Sequence, residues 1–179
     1  EISECLVGSE MCIRDRFMQL YLLYSHFMDG FAYAGEALVG KYAGAADKHS
    51  LRRCVSHLFA WGWSLAAIFA FAYGVFNHEV MSLFSDKPEV VAFAAAYRWW
   101  IALAPIAGMA AFIWDGVFVG LTATRQMLLS LAGATAIYFA IYFLSPFPDA
   151  NSSLWTAFLT YLAVRGVILW LCFARKNEY

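Results

Sequence analysis

Charged residues are scarce in this chain. Asp, Glu, Lys and Arg make up 14% of its 179 residues, whereas 63% are hydrophobic. A soluble domain has about a quarter charged and about half apolar residues. The formal net charge of −1 offers no surplus of positive charge, so no nucleic-acid partner is expected. This composition predicts a polytopic membrane protein whose immediate partner is membrane lipid.

Cysteine and proline are also rare, with four residues of each. The cysteines show no framework spacing, so a disulfide scaffold is not predicted. The chain has no CxxC, HExxH, P-loop or GxSxG motif in a suitable context. His26 and His57 are predicted at opposite depths of the membrane, where they could not ligate one ion. No metal site, organic cofactor or conventional enzyme activity is therefore expected.

The first sixteen residues lack the apolar character of the rest. The stretch EISECLVGSEMCIRDR is polar and shows no periodicity. It also has no basic start followed by an apolar run, as a signal peptide would. In one reading frame it resembles the translation of a DNA-sequencing adapter. We therefore expect residues 1–16 to be a non-native tail and residues 17–179 to form the membrane domain.

Long apolar segments dominate the remainder. A helix of about 20 apolar residues crosses a bilayer core. Five segments meet this length, at residues 17–42, 54–76, 90–121, 127–144 and 154–173. The predicted fold class is all-α, a polytopic membrane bundle of five transmembrane helices.

Two features punctuate the predicted helices. Asp47 or Ser50 is expected to cap the start of the second helix. Pro105, with Gly108 three residues later, falls inside the third. Because proline removes a backbone hydrogen bond, we expect a helix bend there.

Basic residues mark alternate connections between the segments. They are Lys41, Lys48, Arg52 and Arg53 at the first connection, Arg125 in the third, and Arg175 and Lys176 after the last segment. Cytoplasmic loops carry an excess of Lys and Arg. The first and third connections and the C-terminus are therefore predicted to be cytoplasmic.

Four ionisable residues lie well inside the apolar segments: Asp29, Glu36, Asp115 and Arg165. An ionised group at bilayer depth costs at least about 2.5–3.5 kcal/mol and usually faces the protein interior or a cavity. Asp29 and Glu36 are two helical turns apart, on nearly one face and about 10 Å apart along the axis. Counting from the inner helix ends puts Glu36 and Asp115 at one depth, with Arg165 near them.

This placement predicts that Arg165 is ion-paired with Asp115 or Glu36. The three carboxylates Asp29, Glu36 and Asp115 are candidates for binding a proton or Na⁺. The alternative is that the charges form structural pairs that fix the packing of the helices.

Small residues predict close helix contacts on two helices, at Gly30, Ala34, Ala37, Gly40 and Gly44 on the first and at Gly116 and Gly120 on the third.

Three stretches resemble one transporter family. Residues 28–53, MDGFAYAGEALVGKYAGAADKHSLRR, are similar to the eighth helix and following loop of the multidrug and toxic compound extrusion (MATE) family, in particular its DNA-damage-inducible branch. Residues 112–127, FIWDGVFVGLTATRQM, resemble the tenth helix of the family. Residues 161–170, YLAVRGVILW, resemble the twelfth.

The resemblance implies part of a twelve-helix antiporter with two six-helix lobes, which exports cationic or amphipathic compounds in exchange for H⁺ or Na⁺. It places Asp115 where some members hold the coupling cation. This chain would be helices eight to twelve of the C-terminal lobe, in the bacterial inner (plasma) membrane. Its partners would be a small-molecule substrate and the N-terminal lobe and seventh helix, which this chain does not contain. Two alternatives stay open: a non-transporting membrane scaffold or assembly subunit, and a lipid-precursor flippase of related fold.

Overall fold

The computed structural model describes the backbone of residues 2–84, 98–144 and 150–175. Within these ranges the secondary structure is entirely helical. The helices are α1 (Ile2–Gly44), α2 (Lys48–Val75), α3 (Asn77–Phe84), α4 (Arg98–Gly120), α5 (Thr124–Leu144) and α6 (Ala150–Arg175). The predicted all-α fold class is confirmed.

The predicted helix positions need two corrections. Helix α2 begins at Lys48 rather than residue 54, because its polar first turns are helical as well. Helix α3 forms where the sequence predicted only a polar connection, and its apolar residues Val80, Met81, Leu83 and Phe84 give that segment a helical pattern. Part of the third predicted segment, residues 90–97, lies outside the described residues.

Four of the described helices are long and apolar enough to cross a membrane, namely α2, α4, α5 and α6. Five such helices were predicted, and α1 does not reach the same apolarity. The reason is its polar content, since Gln19, His26, Asp29 and Glu36 interrupt the apolar residues. A membrane crossing by α1 therefore stays a prediction.

Helix α1 is longer than the predicted segment of residues 17–42. Its 43 residues correspond to a length of about 65 Å. The helix continues through residues 2–16, although their apolar residues show no helical periodicity in the sequence. A bilayer core is about 30 Å thick, so a membrane-crossing α1 would extend well beyond it.

Helix α4 lies at the centre of the bundle. It packs against α1, α2 and α6, while α5 packs mainly on α6. Twelve of the 23 residues of α4 are buried, whereas only Ser130 and Ala134 are buried on α5. The exposed apolar side chains of α5 are those expected to face lipid. The core is therefore organised around α4, with α5 at the periphery.

Helices α1 and α4 approach each other closely at glycine. A Cβ atom added to Gly116 would lie 2.2 Å from the carbonyl oxygen of Ala32, and one added to Gly120 would lie 2.6 Å from the carbonyl oxygen of Glu36. The prediction of close packing at these two glycines is confirmed. We refer to this contact of Gly116 and Gly120 with α1 as the glycine seam.

The predicted small-residue face of α1 is only partly correct. Gly40 does face the glycine seam, because a Cβ atom added to it would lie 3.5 Å from the carbonyl oxygen of Gly120. Gly30 and Gly44, by contrast, border open space, and Ala34 and Ala37 are exposed. The packed face instead carries larger residues such as Met28 and Val39, both fully buried, and helical periodicity alone did not separate the two faces.

The junction between α1 and α2 is short. The carboxylate of Asp47 accepts a hydrogen bond from the backbone N–H of Ser50 at 3.0 Å, so Asp47 is the N-cap. Of the two predicted caps, the structure selects Asp47. Ala46 just before it has a φ of 55°, the left-handed conformation that commonly ends a helix.

Candidate functional site

Arg165 and Asp115 form a salt bridge between α6 and α4. The Nη2 atom of Arg165 lies 2.9 Å from Oδ1 and 2.8 Å from Oδ2 of Asp115. The two side chains are 21% and 25% exposed. Asp115 is one of the two partners that the sequence analysis gave for Arg165.

The guanidinium group is not fully satisfied by this contact. Its Nε atom is buried and has no hydrogen-bond partner among the described residues. A buried donor without a partner is energetically unfavourable.

Asp29 and two tyrosines complete the charged cluster. The charge of Asp29 acts on Asp115, together with that of Arg165. The hydroxyl of Tyr21 lies within electrostatic reach of Tyr161, Arg165, Asp29 and Asp115. Sequence reasoning did not single out Tyr21 or Tyr161 as site residues, because tyrosine is frequent in this chain, although Tyr161 begins the stretch that resembles the twelfth helix of the family.

The register of α1 against α4 explains why Asp29 joins the cluster. Because Gly116 contacts Ala32 and Gly120 contacts Glu36, Asp115 is level with about residue 31 of α1. Asp29 is then only about 3 Å from that level along the axis. Counting from the helix ends had paired Glu36 with Asp115. The difference arises because the two helix ends are not level: Gly120 at the end of α4 contacts Glu36, eight residues before the end of α1.

Glu36 occupies a different environment from the other two carboxylates. Its side chain is exposed, and it lies about 10 Å along α1 from Asp29. The structure thus brings together Asp29, Asp115 and Arg165 and leaves Glu36 apart.

Pro105 and Gly108 lie on α4 on the other side of the cluster from the glycine seam. Both are buried inside the helix, which continues across them. The predicted bend at this point stays a prediction. The carbonyl oxygen of Pro105 accepts a hydrogen bond of 2.9 Å from the hydroxyl of the fully buried Tyr24.

A second tyrosine also joins two helices. The hydroxyl of Tyr73 on α2 donates to the carbonyl oxygen of Leu20 on α1 at 2.9 Å. Buried tyrosine hydroxyls usually find a partner, but the sequence does not show which carbonyl will accept. These two bonds tie α1 to both α2 and α4 near the cluster.

The charged cluster offers two carboxylates and one guanidinium group. In the part of the chain that the structure describes, no group of three His, Cys, Asp or Glu side chains is suitably placed for a metal ion. Two carboxylates and one guanidinium can instead exchange partners, since a proton or Na⁺ and the Arg165 side chain compete for the same oxygens of Asp115.

Comparison with known proteins decides the family. A family model described as MatE matches residues 17–145. The chain belongs to the MATE family. Its match begins at the residue where the sequence analysis placed the first membrane segment. The multi-pass membrane character of the chain agrees with this family and with the four apolar helices.

Three characterised relatives are similar to most of this chain. DNA damage-inducible protein F of Escherichia coli K12 is 30% identical over 164 residues, covering 91% of this chain and 36% of that protein. Protein DETOXIFICATION 45, chloroplastic, of Arabidopsis thaliana is 23% identical over 84% of this chain and 27% of its own length. Protein DETOXIFICATION 43 of Arabidopsis thaliana is 25% identical over 84% of this chain and 28% of its own length.

The chain thus spans about a third or less of the length of these relatives. No solved structure matches the chain significantly. The family and the fold class are therefore established by the family match and by the helices themselves.

Proposed function

We propose that this chain is part of a cation-coupled secondary antiporter that exports drugs or other amphipathic or cationic compounds. The coupling ion is H⁺ or Na⁺, and the mechanism is alternating access, as in other transporters built from two lobes. The chain supplies part of the C-terminal lobe. The N-terminal lobe and the seventh helix belong to a longer form of the protein, in the bacterial inner membrane with the C-terminus in the cytoplasm.

The observation that carries this proposal is the cluster of Asp29, Asp115 and Arg165 inside a MATE-family bundle. Ionisable groups at bilayer depth are expensive and commonly mark ion pathways. Asp115 has both oxygens engaged by one nitrogen of Arg165. A cation that binds Asp115 competes with that nitrogen for the carboxylate, so cation binding weakens the contact between α6 and α4.

The names of two relatives give the substrate class some support, since both are called DETOXIFICATION proteins. In the proposed cycle this chain acts as a transporter rather than an enzyme. It moves its substrate without a covalent step, and its only cofactor is the coupling ion.

Carboxyl labelling tests the cation site directly on this chain. The purified protein is treated with a carbodiimide in NaCl or in choline chloride of equal ionic strength, over a range of pH. Labelling of each carboxylate is read by peptide mass spectrometry. For coupling to Na⁺ we expect Na⁺ to slow the labelling of Asp115 while the exposed Glu36 is unaffected. For coupling to H⁺ we expect the labelling of Asp115 to follow pH and not Na⁺.

A labelling rate of Asp115 that responds to neither ion would contradict a cation site and favour a structural ion pair. The matching transport experiment uses a longer form of the protein in proteoliposomes with an imposed ion gradient. Asp115→Asn should abolish gradient-driven export there. Full export by that variant would exclude a coupling role for Asp115.

A further inference from the structure

A groove of about 510 Å³ opens between the second half of α1 and the first half of α2. It lies away from the charged cluster, and neither Asp29, Asp115 nor Arg165 lines it. On each helix the lining residues recur at helical spacing, so the groove runs along the two helix axes.

The groove changes from polar to apolar along its length. At the end near the α1–α2 connection it is lined by Tyr42, Ser50 and Arg53. Eight residues further along α2, or about 12 Å, the lining side chains are Phe31 on α1 and Trp61 on α2. A molecule that fills the groove needs a polar end at the connection and an apolar body toward the middle of the bundle.

The polar end of the groove is basic. Arg53 and His57 are one turn apart on α2, both exposed, and both line the groove. No Asp or Glu side chain is among the described residues that line it. The nearby carboxylate of Asp47 is engaged by the backbone N–H of Ser50 at the start of α2. The polar part of the occupant should therefore be an anion.

We propose that this groove binds an anionic phospholipid, with its phosphate at Arg53 and His57 and an acyl chain along Phe31, Leu58 and Trp61. The polar end lies at the connection that the basic residues place in the cytoplasm, and the cytoplasmic leaflet is the one rich in anionic lipid. Basic pockets between membrane helices bind such head groups. A cationic drug is a poor occupant because Arg53 would repel it. A small hydrophilic anion would leave the apolar part of the groove, at Phe31, Leu58 and Trp61, unused.

Lipid titration of the purified chain in mild detergent tests the proposal. The probes are phosphatidylglycerol, phosphatidylcholine with the same acyl chains, and inorganic phosphate, and bound lipid is measured by native mass spectrometry. We expect phosphatidylglycerol to bind more tightly than phosphatidylcholine. Arg53→Gln should weaken phosphatidylglycerol binding about five-fold, the effect expected for one basic residue at a membrane surface.

Two matched controls separate this site from general membrane electrostatics. Arg125→Gln removes the same charge from an exposed position on α5, outside the groove, and should leave phosphatidylglycerol affinity unchanged. Ala34→Trp fills the groove without changing charge, since Ala34 lines it. It should abolish lipid binding, whereas Ala132→Trp at an exposed position of α5 should not.

Cys54 gives an independent readout that does not require a binding-defective variant. It lines the groove, whereas the other described thiol, Cys172, lies on α6. With Cys5 and Cys12 replaced by serine, phosphatidylglycerol should slow maleimide labelling of Cys54 and leave Cys172 unaffected.

Three results would overturn the proposal. Equal affinity for phosphatidylcholine, whose phosphate is neutralised by its own choline cation, would show that the groove does not select an anionic lipid. Inorganic phosphate that protects Cys54 as well as the lipid does would reduce the groove to a simple anion site. Protection of Cys54 without lipid in a longer form of the protein would show that protein covers the groove. None of these results depends on whether the protein exports drugs.

Discussion

At the scale of single residues, one salt bridge joins α6 to α4, between Arg165 and Asp115. Arg165 was expected to pair with Asp115 or Glu36, because counting from the helix ends placed these three residues at similar depths. Only the structure selects Asp115 and brings Asp29 to the same site. The choice depends on the register between α1 and α4, which is set by backbone contacts that the sequence does not reveal.

Removing one partner of the ion pair should destabilise the bundle more than removing both. We expect Arg165→Met to lower the free energy of unfolding by on the order of 2 kcal/mol, since it leaves the partly buried Asp115 charge without its partner. The double variant Arg165→Met with Asp115→Asn should recover much of that loss. Denaturant unfolding of the four proteins of this mutant cycle in detergent measures the coupling. Additive effects of the two substitutions would show that the pair contributes nothing to stability.

The hydroxyl of Tyr24 offers a second test at this scale. Tyr24→Phe removes the hydrogen bond to the carbonyl oxygen of Pro105 and keeps the packing of the ring. Hydrogen bonds between membrane helices contribute about 0.6 kcal/mol on average, so we expect a small but measurable loss of unfolding free energy. Tyr33→Phe is the control on the same helix, since Tyr33 is 70% exposed. An equal effect of both substitutions would contradict a specific role for the bond.

At the scale of helices, the glycine seam is the most sensitive contact. The Cβ atom of Gly116→Ala would meet backbone atoms of Ala32, which cannot turn away as a side-chain end can. We expect a loss of about 1–3 kcal/mol, the usual cost of overpacking. Gly30→Ala on the opposite face of α1 borders open space and should be neutral or slightly stabilising. Thermal unfolding in detergent compares the two variants. If Gly116→Ala does not lower the unfolding temperature, the helices are further apart than the structure shows.

The cap of α2 should respond to pH in a defined direction. Hydrogen bonds from the side chain and backbone of Ser50 lower the pKa of Asp47 below its ordinary value. The carboxylate therefore stabilises the folded cap above the pKa of an unfolded aspartate, about 3.9, and this contribution is lost as the pH falls through the lower folded value. Asp47→Asn keeps an acceptor but does not titrate. In that variant, the protection of the Ser50 amide from hydrogen exchange, compared with that of its neighbours, should no longer depend on pH. The same pH dependence as in the unsubstituted protein would contradict the assignment.

The helices themselves were largely predictable because their signals are local. Apolar length located α2, α4, α5 and α6, and the Asp47 cap was one of two residues proposed. Helix α3 was missed because its apolar residues were read as part of a polar connection. The face of α1 was mispredicted at Ala34 and Ala37, since small residues satisfy a packing pattern equally well on either side of a helix.

At the scale of the whole molecule, the basic residues predict which side of the membrane each connection faces. The length of α1 makes that orientation testable. Trypsin added from the outside should cleave at Arg14 or Arg16, because an α1 of this length that crosses the membrane extends beyond the bilayer core. Trypsin added from the cytoplasmic side should cleave between residues 48 and 53. Trypsin reaches the outer side in right-side-out vesicles and the cytoplasmic side in inside-out vesicles. Mass spectrometry of the fragments then identifies which sites were cleaved from each side. The reverse pattern would overturn the cytoplasmic assignment of the C-terminus.

The arrangement of helices around α4 was beyond the reach of sequence reasoning. Composition shows that α4 is apolar, but α5 is also apolar and nevertheless lies at the periphery. In a membrane, lipid tails and protein interior are equally apolar, so hydrophobicity does not tell a central helix from a lipid-facing one. Small residues on α4 allow close helix packing. The sequence does not show which of them contacts a partner helix.

The glycine seam also fixes the separation of the two main chains that carry Asp29 and Asp115. Asp29 and Asp115 sit on helices whose main chains touch within a turn of each residue, at Ala32 and Gly116. No side chain that could change rotamer lies between those backbones. Substitutions elsewhere on α4 or α6 can therefore change how strongly Arg165 holds Asp115, while the spacing of the two main chains stays constant. The strength of this salt bridge can thus be altered from α6 alone, without a shift of α1 against α4.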